Sequence, residues 1–216
     1  MTGDIPASEV SQLEPAILPV VSGGISVGDD GIPRCGWSAK DAEYRRYHDE
    51  EWGRPLHGDR PLFEKLSLEG FQAGLSWITI LKRRPAFREV FFDFDILRVA
   101  ALTDAELESR AADTRIIRNR QKIAATRSNA RLVLDIVEDS PGRFDELMWS
   151  YAPSARTSAH RPTSPAAIPA ITVESTALSA DLRARGFRFV GPTTMYALMQ
   201  SSGMVDDHLS GCWRAQ

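Results

Sequence analysis

A single acidic side chain, Glu69, lies on what the sequence predicts to be the apolar face of a helix. Leu62, Leu66, Glu69 and Ala73 are spaced by four, three and four residues, so they share one helical stripe. A carboxylate among buried neighbours costs free energy unless it has a partner. The spacing therefore indicates either a carboxylate that recognises a ligand or a solvent-facing helix residue beside Gly70.

Aromatic residues are concentrated in the segment CGWSAKDAEYRRYHDEEWG. It contains four of the nine Trp and Tyr residues of the chain: Trp37, Tyr44, Tyr47 and Trp52. Planar rings with polar edges suit a pocket that stacks a flat ligand and hydrogen-bonds its edge. A purely structural aromatic cluster is the alternative that the residues alone leave open.

Two cysteines and two histidines near opposite ends of the chain have residue types suited to a metal site. Cys35 precedes His48 by thirteen residues, and His208 precedes Cys212 by four. Residues four apart share a helix face, so His208 and Cys212 can point at one ion, and the N-terminal pair would complete a tetrahedral zinc site. Four protein ligands leave no position for water, so such a site would be structural. Free thiols and surface histidines are the alternative.

A run of cations without any acid lies between Asp113 and Asp135. Its members are Arg115, Arg118, Arg120, Lys122, Arg127 and Arg131. Cations and backbone N–H groups at a helix start, after a short turn, are what a helix-turn-helix or helix-hairpin-helix motif uses to contact DNA phosphate. A solvated helix face is the alternative.

The composition is that of a globular protein of one ordinary domain or two small ones, with 216 residues, 43% hydrophobic and 25% charged. The net charge is −3, but residues 1–34 hold five acids and one base, which leaves 24 acids and 25 bases in the remainder. No apolar run reaches the roughly 20 residues that span a bilayer, and two cysteines do not make a disulfide framework. We therefore expect a soluble, cytoplasmic monomer with no membrane partner.

Helical patterns dominate from Cys35 onward, and strand patterns are scarce. Helices are predicted over 105–113, after a capping box at TDAE, and over 117–137, 144–152, 174–185 and 193–202. The proline-rich stretch 153–170 predicts a long surface loop. Residues 1–33 show neither helical nor strand periodicity, so we expect a flexible extension before a helical domain over 34–216.

Taken together, these segments resemble the 3-methyladenine DNA glycosylase I family. The matching stretches are RCGW (34–37), YHDEEWG (47–53), LEGFQAGLSWITILKRR (68–84), IIRNRQKI (116–123), RGFRFVGPTTMYALMQSSGMVDDH (185–208) and Cys212. The resemblance implies an all-α, helix-hairpin-helix DNA glycosylase fold. It also implies one structural Zn²⁺ that joins the two chain ends through Cys35, His48, His208 and Cys212.

The resemblance further implies roles for the candidate site residues. Glu69 is the expected catalytic carboxylate, and with Tyr47 it would hydrogen-bond a damaged base on which Trp77 stacks. Other residues would line the pocket: Trp37, Tyr44 and Trp52. The turn containing Gln72, Gly74 and Leu75 would press on the duplex where the nucleotide leaves the stack. The expected phosphate contacts are Arg115, Arg118, Arg120 and Lys122.

The implied activity is monofunctional, hydrolytic excision of 3-methyladenine from alkylated double-stranded DNA, with the free base as product. Alkylation at N3 makes adenine a cation and a good leaving group, so the enzyme must mainly extrude the nucleotide and recognise its charge. An anionic Glu69 among aromatic faces would do this. Two alternatives are a bifunctional glycosylase/lyase that uses Lys122 as nucleophile and a non-catalytic, zinc-stabilised DNA-binding module.

Two positions depart from the pattern of the family. Arg115 and Gln121 stand where members commonly carry glycine. Glycine permits positive φ and close approach of the backbone to phosphate, so we expect these substitutions to change DNA affinity and not base chemistry.

Overall fold

Nine α-helices build most of the described chain, which comprises residues 20–21, 24–138, 140–154 and 161–215 of a computed structural model. They are α1 (Ala42–Glu50), α2 (Asp59–Gln72), α3 (Trp77–Val90), α4 (Ile96–Ala100), α5 (Asp104–Ala112), α6 (Arg120–Val137), α7 (Arg143–Trp149), α8 (Val173–Ala184) and α9 (Pro192–Ser201). Single-turn 3-10 helices occupy Gly36–Ser38, Phe92–Phe94, Pro165–Ala167 and Trp213–Ala215. None of the helices within these ranges combines the length and the apolar character needed to cross a membrane.

The mainly helical class is confirmed, and the predicted helices correspond to α5, α6, α7, α8 and α9. The capping box is present at the start of α5, where Thr103 and Glu106 hydrogen-bond each other's backbone N–H groups. The long helix begins at Arg120 and not at 117. The reason is that the Asn119 side chain accepts from the backbone N–H of Lys122 and caps the helix there.

Helix α2 is the central element, because it contacts α3, α6, α7 and α9. After its first turn it is buried on all sides, with Leu62, Phe63 and Leu66 almost completely enclosed. Glu69 is enclosed with them at 3% exposure, so the predicted stripe is buried as far as this carboxylate. The next member of the stripe, Ala73, lies in the exposed turn that ends α2.

A small antiparallel sheet precedes the helices and differs from the expected flexible extension. Its strands are β1 (Val20–Val21), β2 (Ile25–Val27) and β3 (Pro33–Cys35), in the order β1-β2-β3, with Ile25 opposite Cys35 and Val27 opposite Pro33. The strands are too short to show alternation, and the contacts that hold them come from far along the chain. Strands β2 and β3 thus occupy part of the predicted extension, whose flexibility stays a prediction; residues 1–19 and 22–23 lie outside the described part.

One such contact is made by Arg34, whose guanidinium donates to Asp49 on α1 at 2.9 and 3.0 Å. It also pairs with Asp30 at 2.8 Å, across the turn between β2 and β3. The hairpin is thereby tied to the start of the helical domain. The predicted loop over 153–170 is confirmed where it is described, with Pro162 O accepting from the N–H of Ser210 at 3.0 Å.

The turn after α9 brings the chain close to residues 54–56. Gly203 has φ +71°, and a Cβ placed on it would lie 2.7 Å from Pro55 N. Beside it, the Leu56 N–H donates to Ser202 O at 3.0 Å. A side chain at Gly203 would therefore meet both backbone strain and a rigid neighbour.

We predict that Gly203→Ala lowers the free energy of unfolding by about 3 kcal/mol, since a left-handed conformation and an overpacked contact are both imposed on alanine. Urea unfolding followed by circular dichroism measures this. Gly31→Ala is the matched control, because Gly31 has φ +72° with no atom within 4 Å of its virtual Cβ. It should cost only about 1 kcal/mol. Equal costs for the two variants would show that the contact with Pro55 is unimportant.

Candidate active site and metal cluster

A cavity of about 270 Å³ opens between α1, α2, α3 and α9. Five aromatic rings form its walls: Trp37, Tyr44, Tyr47, Trp52 and Trp77. Glu69 and Gln72 reach it from α2, while Ala197, Gln200 and Ser201 reach it from α9 and Ile168 from the preceding loop. The structure thus brings together every aromatic residue that was predicted for the pocket.

The rings are held in place by the ends of two helices. Asp41 caps α1 by accepting from the N–H groups of Glu43 and Tyr44, which fixes the first turn of the helix. The Tyr44 hydroxyl accepts from the backbone N–H of Ile78 at the start of α3, at 3.1 Å. The Trp37 ring packs edge-on against Tyr44 with centroids 5.2 Å apart. These contacts make the wall a preformed surface.

Glu69 is the acidic group of this cavity. Its carboxylate accepts a hydrogen bond of 3.0 Å from the hydroxyl of Ser201. Burial raises the pKa of Glu69 to about 7, while the positive charge of Lys65 and the Ser201 hydrogen bond act in the opposite direction. Near neutral pH the protonated and ionised forms of the side chain are therefore both populated.

Lys65 is a buried cation that the sequence patterns missed. Its ammonium donates to the hydroxyl of Tyr47 at 3.3 Å and lies 5.1 and 5.3 Å from the ring centroids of Tyr47 and Trp77. Burial lowers the pKa of Lys65, and the charge of Glu69 opposes that effect. The sequence contained one indication that Lys65 belongs to the site: it precedes Glu69 by four residues and so shares its helix face.

Tyr47 and Trp77 pack against each other in the wall of the cavity. Their ring centroids lie 5.6 Å apart, and Tyr47 is 1% exposed. Burial raises the pKa of Tyr47 well above its usual value, with the charge of Glu69 adding to the effect. The indole N–H of Trp77 has no hydrogen-bond partner within the described residues, although it is buried. No sequence motif pointed to Ser201 or Gln200, since their positions depend on where α9 ends.

The predicted Cys/His set comes together at the other side of the aromatic wall. Cys35, His48, His208 and Cys212 are all buried, and their ligand atoms lie within 4.8 Å of one another. The Sγ atom of Cys212 is 3.4 Å from His48 Nε2 and 3.7 Å from His208 Nδ1, and Cys35 Sγ is 3.9 Å from His208 Nδ1. Such separations suit four donors around one tetrahedral ion, so the cluster can hold a metal.

The groups around the cluster orient its ligands. His48 contacts Asp49 through Nδ1 at 2.8 Å, and His208 contacts the Trp52 carbonyl through Nε2 at 3.3 Å. In each ring this leaves the other nitrogen directed at the cluster, as in metal-binding histidines. Backbone N–H groups donate to both sulfurs, from Leu209 to Cys35 and from Arg214 to Cys212, each at 3.4 Å.

The cluster and the cavity share their aromatic rings. The Trp52 ring lies 4.6 Å from the His208 ring, edge-on, and the Trp37 ring lies 5.3 Å from that of His48. Trp37 and Trp52 in turn pack edge-on with centroids 5.2 Å apart. The Cys/His cluster therefore supports one wall of the cavity from behind.

Comparisons with known proteins agree with this arrangement. A family model described as methyladenine glycosylase matches residues 37–215. The chain belongs to the methyladenine glycosylase family. DNA-3-methyladenine glycosylase 1 of Escherichia coli (strain K12) is 44% identical over 181 residues, which cover 84% of this chain and 96% of that protein. The family resemblance of the sequence is confirmed.

Solved structures of this glycosylase family have the same fold. A crystal structure of 3-methyladenine DNA glycosylase I superimposes with a TM-score of 0.79 at 43% identity, covering 83% of this chain and 98% of that one. The glycosylase I of Staphylococcus aureus, whose structure is described as the basis of 3-methyladenine recognition, gives a TM-score of 0.78 at 33% identity. It covers 85% of this chain and 96% of that one.

The turn between α2 and α3 is the exposed edge of the cavity in this family member. The Gln72 side chain donates to Leu75 O at 2.9 Å, and the Leu75 N–H donates back to Gln72 O at 2.6 Å. Gly74 takes φ +84°, which the tight turn requires. Leu75 is 39% exposed, so a rigid turn presents an apolar side chain to the solvent beside the pocket.

Two of the four predicted phosphate-binding cations have acidic partners. Arg115 pairs with Asp113 at 2.8 Å and with Glu89 at 2.6 Å, and Arg120 pairs with Glu108. Within the described ranges Arg118 is exposed and has no ion pair. The sequence pattern did not predict these ion pairs, because Glu89 belongs to α3 and Glu108 to α5, outside the basic stretch.

Lys122 differs from its predicted role. Its side chain is 8% exposed, and its ammonium donates to the carbonyls of Phe71 at 2.9 Å and Ala73 at 2.6 Å. These carbonyls end α2, so Lys122 caps that helix and stabilises the turn that follows it. This geometry corrects the predicted phosphate contact, and it gives no support to a nucleophilic role.

The raised pKa of Glu69 has a consequence for folding. Well below pH 4.5 the carboxyl group is neutral in both folded and unfolded chains. As the pH rises towards 7, the unfolded chain ionises first, so stability falls until the folded group ionises too. Above pH 7 the loss of folding stability caused by Glu69 is constant and amounts to about 3 kcal/mol at most.

We predict that Glu69→Gln raises the free energy of unfolding at pH 8 by about 1 to 3 kcal/mol and has little effect at pH 4.5. Urea unfolding at the two pH values provides the measurement. Glu50→Gln serves as control, because the Glu50 side chain is 60% exposed on α1 and pairs with Arg46 at the surface. A Glu69→Gln variant less stable than wild type at pH 8 would contradict the assigned burial cost.

Proposed function

We propose that this chain hydrolyses the N-glycosidic bond of 3-methyladenine in alkylated double-stranded DNA and releases the free base. The observation that carries the proposal is a carboxylate, Glu69, 3% exposed in a cavity walled by five aromatic rings. The 44% identity to the E. coli enzyme, which acts as a DNA-3-methyladenine glycosylase, supports the same substrate. The reaction requires no lyase step.

The charge of the base explains why the carboxylate is buried. A base alkylated at N3 is cationic and leaves its sugar readily, so the enzyme gains most by extruding and recognising it. When the cation enters the cavity, it supplies the counter-charge that Glu69 lacks and favours the ionised carboxylate. Neutral adenine gives no such compensation, so it is neither retained nor activated.

The rings complete the recognition. Tyr47 and Trp77 offer faces on which a flat cation can stack, and such contacts strengthen where water is excluded. Water then reaches the sugar carbon as the base departs, with Glu69 as the nearest anion of the pocket.

For DNA binding we propose a helix-hairpin-helix formed by α5, residues 113–119 and α6. The N-terminus of α6 carries the exposed Arg118 just before it, and its N–H groups can bind phosphate. The exposed Leu75 would fill the space left by the extruded nucleotide, as apolar wedges do in other DNA-bending proteins.

We expect the purified chain to release 3-methyladenine from methylated duplex DNA and Glu69→Gln to lower the release rate by roughly 100-fold or more, because charge recognition is lost. Liquid chromatography of the released bases measures the rate. Binding to undamaged duplex, measured by fluorescence anisotropy, should change by less than about twofold, since the phosphate contacts lie elsewhere. Glu50→Gln should retain wild-type release.

Two results would overturn this assignment. Equal release by wild type and Glu69→Gln, at the level of the no-enzyme control, would favour a non-catalytic DNA-binding module. Covalent trapping of the chain on DNA by borohydride would reveal a lyase with an amine nucleophile, such as Lys122.

We also propose that Cys35, His48, His208 and Cys212 hold one structural Zn²⁺. Two sulfurs and two imidazole nitrogens are a donor set that zinc prefers, and all four positions are filled by the protein. When bound, the ion would link β3 and α1 to the C-terminal segment and fix the rings of Trp37 and Trp52. It would take no part in the reaction.

We predict about one zinc ion per purified chain by elemental analysis, and its loss in Cys212→Ser together with a lower midpoint of thermal unfolding, because metal binding contributes folding free energy. His57→Ala is the matched control, since His57 is 58% exposed and pairs with Asp145 outside the cluster. It should retain the metal. A wild type that contains no metal and unfolds at the same midpoint with and without added Zn²⁺ would exclude a structural ion.

A further inference from the structure

Lys65 lies behind the ring wall of the cavity and has no role in the recognition described above. We propose that Lys65 is a positioning residue that holds Glu69 in its ionised form and orients the hydroxyl of Tyr47, and so sets the lower pH limit of base excision. The inference rests on the proposed function, because it concerns the same site.

The position of Lys65 separates it from the bound base. It does not line the ring-walled cavity; with Ser201 it lines a neighbouring cavity of about 580 Å³. Ser201 lines both cavities and donates to Glu69. Lys65 therefore acts from the outer side of the wall, through Tyr47 and through its charge.

Lys65 also lacks a direct acidic partner. It is 7% exposed, and within the described ranges no carboxylate lies within 4.0 Å of its ammonium. The neighbouring ions are already paired: Arg84 with Glu51 at 2.5 Å and Arg88 with Glu64 at 2.8 Å. Among these three cations, Lys65 is thus the one whose charge is not neutralised by a direct ion pair within the described residues.

Four groups face Glu69 from the surrounding elements. They are Tyr44 and Tyr47 from α1, Lys65 from α2 and Ser201 from α9. Of these, only Lys65 carries a positive charge. Its attraction lowers the pKa of Glu69 against the larger effect of burial, so removing it leaves the carboxyl group protonated over more of the neutral range.

The hydrogen-bond direction follows from the donor inventory. An ammonium can only donate, so Tyr47 accepts from Lys65 and must direct its own proton elsewhere. Ser201 lowers the pKa of Tyr47 and donates its hydroxyl proton to Glu69. Lys65 therefore acts on the carboxylate through its charge, while its hydrogen bond orients the hydroxyl of Tyr47.

The test compares pH profiles of single-turnover base release between pH 5.5 and 9. In Lys65→Met, which keeps the length and apolar stem, the acidic limb should move up by about one pH unit, which is about a tenfold slower reaction at pH 6. At pH 9 the rates should agree within about threefold. Lys65→Arg should follow the wild type, because it retains the charge.

Lys65→Gln separates the two parts of the proposal, since glutamine can donate to Tyr47 without a charge. Lys65→Gln should shift the acidic limb as far as Lys65→Met does. It replaces Lys65→Met in the experiment if that variant does not fold. A uniform slowing at all pH values, or an unshifted limb in both variants, would overturn the inference and leave Lys65 a packing residue.

Carbon-13 NMR of the glutamate carboxyl groups tests the same point without catalysis, with the Glu69 signal assigned by its loss in Glu69→Gln. The Glu69 midpoint should rise in Lys65→Met and Lys65→Gln and stay unchanged in Lys65→Arg. If the wild type releases no base, the proposed function fails, whatever the NMR shows. If the wild type is active but the Glu69 midpoint does not move, only the role of Lys65 fails.

Discussion

The burial of one carboxylate is the constraint on which the site depends. Glu69 lies on the central helix at 3% exposure, where its ionised form is costly. The fold offsets this only in part, through one hydroxyl of Ser201 and the charge of Lys65. A fully paired carboxylate would be stable but indifferent to the charge of a ligand. In the proposed function, incomplete compensation gives the cavity a preference for a cation, at the expense of some stability.

The walls around this group depend on the joining of distant segments. Trp37 follows β3 and Trp52 follows α1, while His208 comes from near the C-terminus. These rings pack against one another at centroid distances of about 5 Å, and the Cys/His cluster lies directly behind them. A change in the cluster can therefore reach the cavity through ring contacts, although none of the four Cys and His side chains lines the cavity.

The sequence predicted the parts of the site that have local or compositional signatures. Residue type and spacing offered Glu69, four of the wall rings and the Cys/His set as candidates, and the family resemblance added Trp77 and the expected roles. Ser201 carries no such signature, since only the meeting of α9 with α2 brings it to the carboxylate. Lys122 was assigned to DNA because its neighbours along the chain are basic, whereas its partners are carbonyls about 50 residues away. The β2–β3 hairpin was missed for the same reason: Asp49, which holds it, belongs to α1.

The surface charges extend this argument to the DNA. Arg115, which replaces a glycine of the family pattern, is paired with Asp113 and Glu89, so it adds little net positive charge to the hairpin. With two of the four predicted phosphate-binding cations paired to acids and Lys122 buried, the proposed helix-hairpin-helix should contribute few phosphate contacts, each of which adds to affinity and to salt dependence. A protein that binds undamaged duplex weakly can move quickly along it in search of a lesion. In the proposed function, discrimination then falls to the cavity, where a lesion is retained only if its charge is opposite to that of Glu69.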